Sequence, residues 1–214
     1  MPSLYALKPK FQSALRPLVT RFAKWGITAN QVTMLTCLVS VAVGLGLAVH
    51  QHIDRWLLLL PVTLFIRMAL NAMDGMLARE FGQQSDLGVY LNELTDVVAD
   101  VCLYLPFAFL SGFSAFWMGA VIVLAVLTEM TSTVAAMVGA SRRNDGPMGK
   151  SDRALAFGSL AFWLGMFGEI PQRVAMTFEL SMAGLLALTV AQRVRQGLIE
   201  KALIESARAS RTTV

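Results

Sequence analysis

The stretch NAMDGMLAREFGQQSDLGVYLNELTDVVAD, residues 71–100, lies between two long apolar runs yet gathers Asp74, Arg79, Asp96 and Asp100. It reads as the end of one helix, a polar turn near 80–87, and the start of a second helix. At 100° per residue, Arg67, Asn71, Asp74 and Ala78 share an arc of about 60°, and Gly88, Asn92 and Asp96 one of about 80° that Asp100 continues. A short turn makes the two helices antiparallel, so depths can be matched. Asp74 falls level with Asn92, Asn71 with Asp96, and Arg67 with Asp100. Polar groups within a membrane helix are costly and turn toward a cavity or toward one another. Two polar faces are therefore expected to meet.

The rest of the chain supports a membrane setting. Of 214 residues, 56% are hydrophobic and only 15% charged, unlike a soluble domain. A transmembrane helix needs about 20 mostly apolar residues. Six stretches meet that need: 32–49, 56–78, 88–110, 115–139, 154–170 and 174–192. The predicted fold is an all-α integral membrane bundle of six transmembrane helices. Basic residues orient it. With the N-terminus inside, fifteen Lys and Arg fall on inner segments, only Arg55 and Arg173 on outer loops, and Arg67 within a span. Both termini are thus expected in the cytoplasm, and the polar turn at 80–87 faces it too.

Residues 1–30 form a separate element. Leu4, Leu7, Phe11, Leu15, Leu18, Phe22 and Trp25 recur at helical spacing among basic residues, without an acid. This predicts an amphipathic helix at the membrane interface, against anionic lipid or packed on the bundle, starting late or bent because of Pro9 and Pro17. No cleavable leader pattern is read there. The domain plan is the interfacial helix 1–30, the membrane domain 31–192 and a basic cytoplasmic tail 193–214. Cys37 and Cys102 lie in apolar runs and are expected as small core residues, not a disulfide. His50 and His52 are expected as polar loop residues at the outer end.

Two meeting polar faces near the cytosol suit a hard divalent cation, which takes carboxylate and amide oxygens and completes its shell with substrate phosphates. Asp74 and Asp96, with the side-chain oxygens of Asn71 and Asn92, fit that chemistry. Gly75, Ala78 and Gly88 leave room for a ligand to approach the backbone. Arg79 offers a planar fork for phosphate.

At these residues the chain resembles the CDP-alcohol phosphatidyltransferase family, whose pattern is D-x2-D-G-x2-A-R-x8-G-x3-D-x3-D. Asp74, Gly75, Ala78, Arg79, Gly88 and Asp96 match in place, while Asn71 and Asn92 stand where the family has its first and third Asp. ITANQVT (27–33) and GKSDR (149–153) extend the likeness along the six-span layout. The resemblance implies transfer of a phosphatidyl group from CDP-diacylglycerol to an alcohol acceptor, with release of CMP and dependence on Mg2+ or Mn2+. It implies metal ligation by Asp74, Asp96, Asn71 and Asn92, and CDP binding by Asn71, Asp74, Gly75, Ala78, Arg79 and Gly88. Asp96 becomes the base that takes the acceptor proton. Arg142, Lys150 and Arg153 either mark an ordinary positive inner loop or bind phosphate on the acceptor. A homodimer in the bacterial inner (plasma) membrane is expected, with no nucleic-acid partner.

Other readings stand beside this one. Asp100 is expected to pair with Arg67. Glu129 either lies satisfied in the core or lines the acceptor side of the cavity. NDGPMGKS (144–151) is not a P-loop, because Asn144 holds the first Gly position and no strand precedes it. With two acids replaced by amides, a catalytically silent CDP-lipid-binding scaffold is the alternative. A cation-coupled transporter is disfavoured, because the spans lack paired Gly- or Pro-broken segments and an inverted repeat.

Overall fold

The computed structural model describes residues 8–50, 52 and 54–212. Among them every regular element is helical: α1 (Lys8–Lys24), α2 (Ala29–His50), α3 (Leu59–Glu80), α4 (Asp86–Tyr104), α5 (Ala115–Met137), α6 (Lys150–Phe167) and α7 (Gln172–Thr212). Local chemistry sets their ends. At the start of α2, Thr28 and Gln31 cap reciprocally, each backbone N–H donating to the other's side-chain oxygen at 2.9 and 3.2 Å. Ser85 starts α4 by accepting from the Gly88 N–H at 3.0 Å. Gly26 and Gly82, with φ of 74° and 67°, turn the chain after α1 and α3 through a conformation other residues resist.

Among the described residues, four helical segments are long and apolar enough to cross a membrane: Ala29–His50, Arg55–Glu80, Ala115–Met137 and Gln172–Ala207. The other two expected spans differ for a visible reason. α4 carries Asp86, Glu93, Asp96 and Asp100, and α6 opens with Lys150, Asp152 and Arg153. The third expected span, 88–110, also leaves α-helical geometry after Tyr104. Leu105–Phe109 is a 3-10 turn with Pro106 at its start, where proline's missing N–H ends the α ladder. The expected boundary at 192 is not an element boundary, since α7 runs on to Thr212.

The core has two parts. Away from the polar turn, Leu57, Leu60, Leu103, Tyr104, Phe107, Phe157, Leu164 and Leu186 are fully buried. Phe157 of α6 stacks on Tyr104 at 4.1 Å between centroids and meets Phe107 and Phe178 at 5.2 and 5.5 Å. At the polar end, Val19 of α1 packs with Ala29, Val32, Met73, Met76 and Leu77 of α2 and α3. α1 thus lies against the helix that carries Asp74, tied further by Arg16 to Glu80 at 2.8 Å. It begins at Lys8 and contains Pro17; Leu4 and Leu7 lie outside the described residues. α2 crosses α4 at Gly44, where an added Cβ would run into the Cys102 carbonyl. Cys37 and Cys102 are free and half-buried. His50 and His52 meet ring to ring at 5.6 Å, and His50 pairs with Asp54 at 2.7 Å.

Exposed Leu35, Leu38, Val62, Phe65, Val123, Phe162 and Trp163 surround the bundle. Large apolar side chains exposed in such number are what a surface covered by lipid tails carries.

Candidate active site

The last three turns of α3 and the first three of α4 form the walls of the site. α2 closes one side, and the starts of α6 and the 138–149 loop close the other. Two of the three depth matches expected from sequence are direct contacts. Asn71 donates its amide N–H to Asp96 Oδ1 at 2.9 Å. Arg67 pairs with Asp100, and its second terminal nitrogen donates to the Asp96 backbone carbonyl at 2.8 Å. At the third level Asp74 is buried and turns instead to α2, accepting from the Thr33 hydroxyl at 2.8 Å. Asn92 is half-buried on the facing helix.

Asp96 differs from the acids below it. Arg67 at 3.4 Å, Asn71 and Lys150 all approach the same oxygen, Oδ1. The Asp96 side chain is 18% exposed, and none of these three contacts uses Oδ2. Asp100, 6% exposed, has neither oxygen free: Arg67 holds Oδ1 and Arg153 holds Oδ2 at 2.8 Å. Arg153 is fully buried and also reaches Glu129 at 2.9 Å and the Thr128 hydroxyl at 2.9 Å. A ladder of two guanidiniums and two carboxylates thus forms the floor, neutral in sum. This is the arrangement that permits charge at depth, because each member would be prohibitively costly alone.

The three basic residues considered for an acceptor are each paired with an acid. Arg142 sits at the surface on Glu93 of α4, with a second contact at 3.1 Å. Lys150 pairs with Asp96, and Arg153 belongs to the floor. Glu129 is satisfied by Arg153 and stands 3.8 Å from Arg193, the first of the two roles the sequence left open. Arg193, placed by sequence at the start of a polar tail, is buried instead. It donates to the Thr128 carbonyl at 2.5 Å and the Asp145 carbonyl at 3.1 Å, fastening the 138–149 loop.

Gly75 and Gly88 lie against side chains of this chain. The Arg79 guanidinium folds back over Gly75, so that an added Cβ would lie 3.0 Å from it. At Gly88 an added Cβ would meet the Asn30 side-chain oxygen at 2.9 Å. Asn30 and Thr33 stand beside these residues, and sequence reasoning passed over both. ITANQVT was noticed as a stretch, but nothing in its spacing said that Thr33 would face Asp74.

Among the described residues no three of His, Cys, Asp and Glu are grouped to hold a metal by themselves. Asp74 and Asp96 lie within electrostatic reach of one another, with Lys150 near both. Two carboxylates with neighbouring amide oxygens fit a hard divalent ion whose remaining positions go to water or phosphate oxygens. They do not make a self-sufficient cage.

Comparison with known proteins bears on this geometry. The model of the CDP-alcohol phosphatidyltransferase family matches residues 26–191. The chain is 41% identical over 202 residues to inner membrane protein YnbA of Escherichia coli (strain K12), spanning 94% of this chain and 100% of that protein. It is 29% identical over 100 residues to archaetidylinositol phosphate synthase of Pyrococcus horikoshii, 47% of this chain and 50% of that enzyme. Phosphatidylinositol phosphate synthase PgsA1 of Mycobacterium tuberculosis, with CDP-DAG bound, is similar in structure: TM-score 0.68, 19% identity, 85% of this chain and 92% of that one. The same enzyme in complex with manganese and citrate gives a TM-score of 0.70 at 19% identity, over 85% and 88% of the two chains. At such identity the structural likeness speaks for the fold alone; the family match and the identity to YnbA carry the assignment. The chain belongs to the CDP-alcohol phosphatidyltransferase family.

Proposed function

We propose that this protein transfers a phosphatidyl group from CDP-diacylglycerol to an alcohol acceptor, releasing CMP. In this reading it works as a homodimer in a bacterial inner membrane, with α2–α7 as six crossings and both termini and the site on the cytoplasmic side. The observation that carries the proposal is the state of Asp96. It is a part-buried carboxylate above the ladder whose contacts with Arg67, Asn71 and Lys150 all fall on Oδ1, on a helix whose backbone Arg67 grips at that residue.

Asp96 accepts the proton of the acceptor hydroxyl. The acceptor oxygen then bonds to the phosphatidyl phosphorus as the bond from that phosphorus to the CMP oxygen breaks, and CMP leaves with the electron pair. Arg79, at the mouth beside Gly75, holds the pyrophosphate with its planar fork. The CDP moiety lies against Gly75, Ala78 and Gly88, taking the place of the Arg79 and Asn30 side chains that approach the two glycines, with Asn71 and Asp74 beside it. A divalent ion, Mg2+ or Mn2+, held by Asp74, Asp96, Asn71 and Asn92 would polarise the pyrophosphate and stabilise charge on the leaving CMP. A phosphate-bearing acceptor such as glycerol phosphate or inositol phosphate suits Arg142 and Lys150, which stand toward the opening. Arg153 supports the floor beneath them.

The test is CMP release from CDP-diacylglycerol by purified protein with Mg2+ or Mn2+ and a panel of alcohols, including serine, glycerol, glycerol phosphate and inositol phosphate. Release with one acceptor supports the proposal. One observation favours the silent-scaffold reading: Asn71 points its N–H, not its oxygen, at Asp96. CDP binding without CMP release under every condition would establish that reading instead.

A further inference from the structure

Lys150 is the first residue of α6, directly after the N-cap Gly149. This is the end of a helix where the macrodipole disfavours a cation. Its ammonium is nevertheless turned inward onto Asp96, its side chain only 31% exposed, and it lies within electrostatic reach of Asp74. Helix propensity gives no reason for a lysine here; the two carboxylates do. They are also the two acids that remain of the family's four, Asn standing at 71 and 92. Charge explains the combination. With four acids a divalent ion can enter an empty site and still leave it negative. With two acids and an ammonium already against one of them, a divalent ion would leave an uncompensated positive charge in a half-buried site. A pyrophosphate removes that excess and offers Lys150 a new partner.

We propose that the Lys150 ammonium is a built-in cation of this site: it neutralises Asp96 in the substrate-free protein, keeps a free divalent ion out, and moves to phosphate when ion and nucleotide load together. The proposal rests on the phosphatidyltransferase reading for its metal and its nucleotide, and on the Lys150–Asp96 pair for its content. Lys150 acts here as a positioning residue through Asp96.

The test measures Mn2+ binding to the purified full-length protein in detergent micelles without nucleotide, free ion being followed by its electron paramagnetic resonance signal. Lys150→Met and Lys150→Gln are compared with the parent, together with Lys150→Arg, which keeps the charge. Removing a unit charge beside the ion should tighten Mn2+ binding by about tenfold or more. Lys150→Arg should stay near the parent, and adding Asp96→Asn to Lys150→Met should abolish the gain. Equal or weaker Mn2+ binding by both neutral variants overturns the proposal. If the parent then still binds CDP in the presence of Mn2+, only the role of Lys150 has failed. If no form binds either Mn2+ or CDP, the phosphatidyltransferase reading falls with it.

Discussion

Asp100→Leu removes the carboxylate that two buried guanidiniums share. Arg67 is 4% exposed and Arg153 fully buried, so neither can recover hydration in place. Breaking a buried ion pair from one side costs about 3–5 kcal/mol, because the partner is left charged and unpaired. Two pairs break here, but each arginine keeps a second acceptor. Arg67 still donates to the Asp96 carbonyl at 2.8 Å, and Arg153 to Glu129 at 2.9 Å. The expected loss therefore stays within about 3–5 kcal/mol rather than doubling. For a chain of this size that corresponds to a fall of about 6–20 °C in Tm. The double variant Arg67→Met/Asp100→Leu leaves Arg153 and Glu129 as a neutral pair, and should return to within about 2 kcal/mol of the parent. The assay is unfolding by SDS in mixed micelles, followed by circular dichroism and tryptophan fluorescence. If Asp100→Leu lies within about 1 kcal/mol of the parent, or the double variant is worse than the sum of the single ones, the charge ladder does not hold the floor together. The same geometry excludes Asp100 as a base, since both its oxygens are engaged by guanidinium.

Asp96→Asn should reduce CMP release by at least about a hundredfold, since an amide cannot take the acceptor proton. CDP binding by calorimetry should persist, and undiminished release would move the base elsewhere, with Glu93 the next residue to examine. Restoring Asp at both 71 and 92 should tighten Mn2+ binding to the nucleotide-free protein by about tenfold or more. Unchanged affinity would show that these positions do not face the ion. Thr33→Val deletes the hydroxyl that donates to Asp74 at 2.8 Å and should destabilise the protein by about 1.5–3 kcal/mol, the usual worth of a hydrogen bond to a charged group. A neutral result in the SDS assay would contradict the burial of that carboxylate. Gly44→Ala drives a Cβ into the Cys102 carbonyl and should cost about 1–3 kcal/mol, because α2 and α4 must separate at their crossing. No change in stability would mean that the crossing is looser than described.

What the sequence determined by itself was what short-range geometry encodes. Apolar runs and the spacing of Arg67, Asn71 and Asp74 depend on neighbours a few residues away. One short turn between α3 and α4 was enough to predict that Asn71 would meet Asp96 and Arg67 would meet Asp100, and both contacts are present. The family pattern added the positions proposed here to meet CDP and metal. Tertiary structure decided the rest, because the remaining contacts join segments whose relative placement no local pattern fixes. Thr33 reaches Asp74 across 41 residues and Arg153 reaches Asp100 across 53. From sequence, Arg142, Lys150, Arg153 and Arg193 are interchangeable cations on inner segments, and any could answer any acid. Packing of α6 on α3 and of α7 on α5, with the 138–149 loop between, assigns them: Arg142 to Glu93, Lys150 to Asp96, Arg153 to Asp100 and Glu129, and Arg193 to the backbone at Thr128 and Asp145. Charge is legible in a sequence, but the partner that makes a buried charge affordable is chosen only when helices distant along the chain are brought to the same depth.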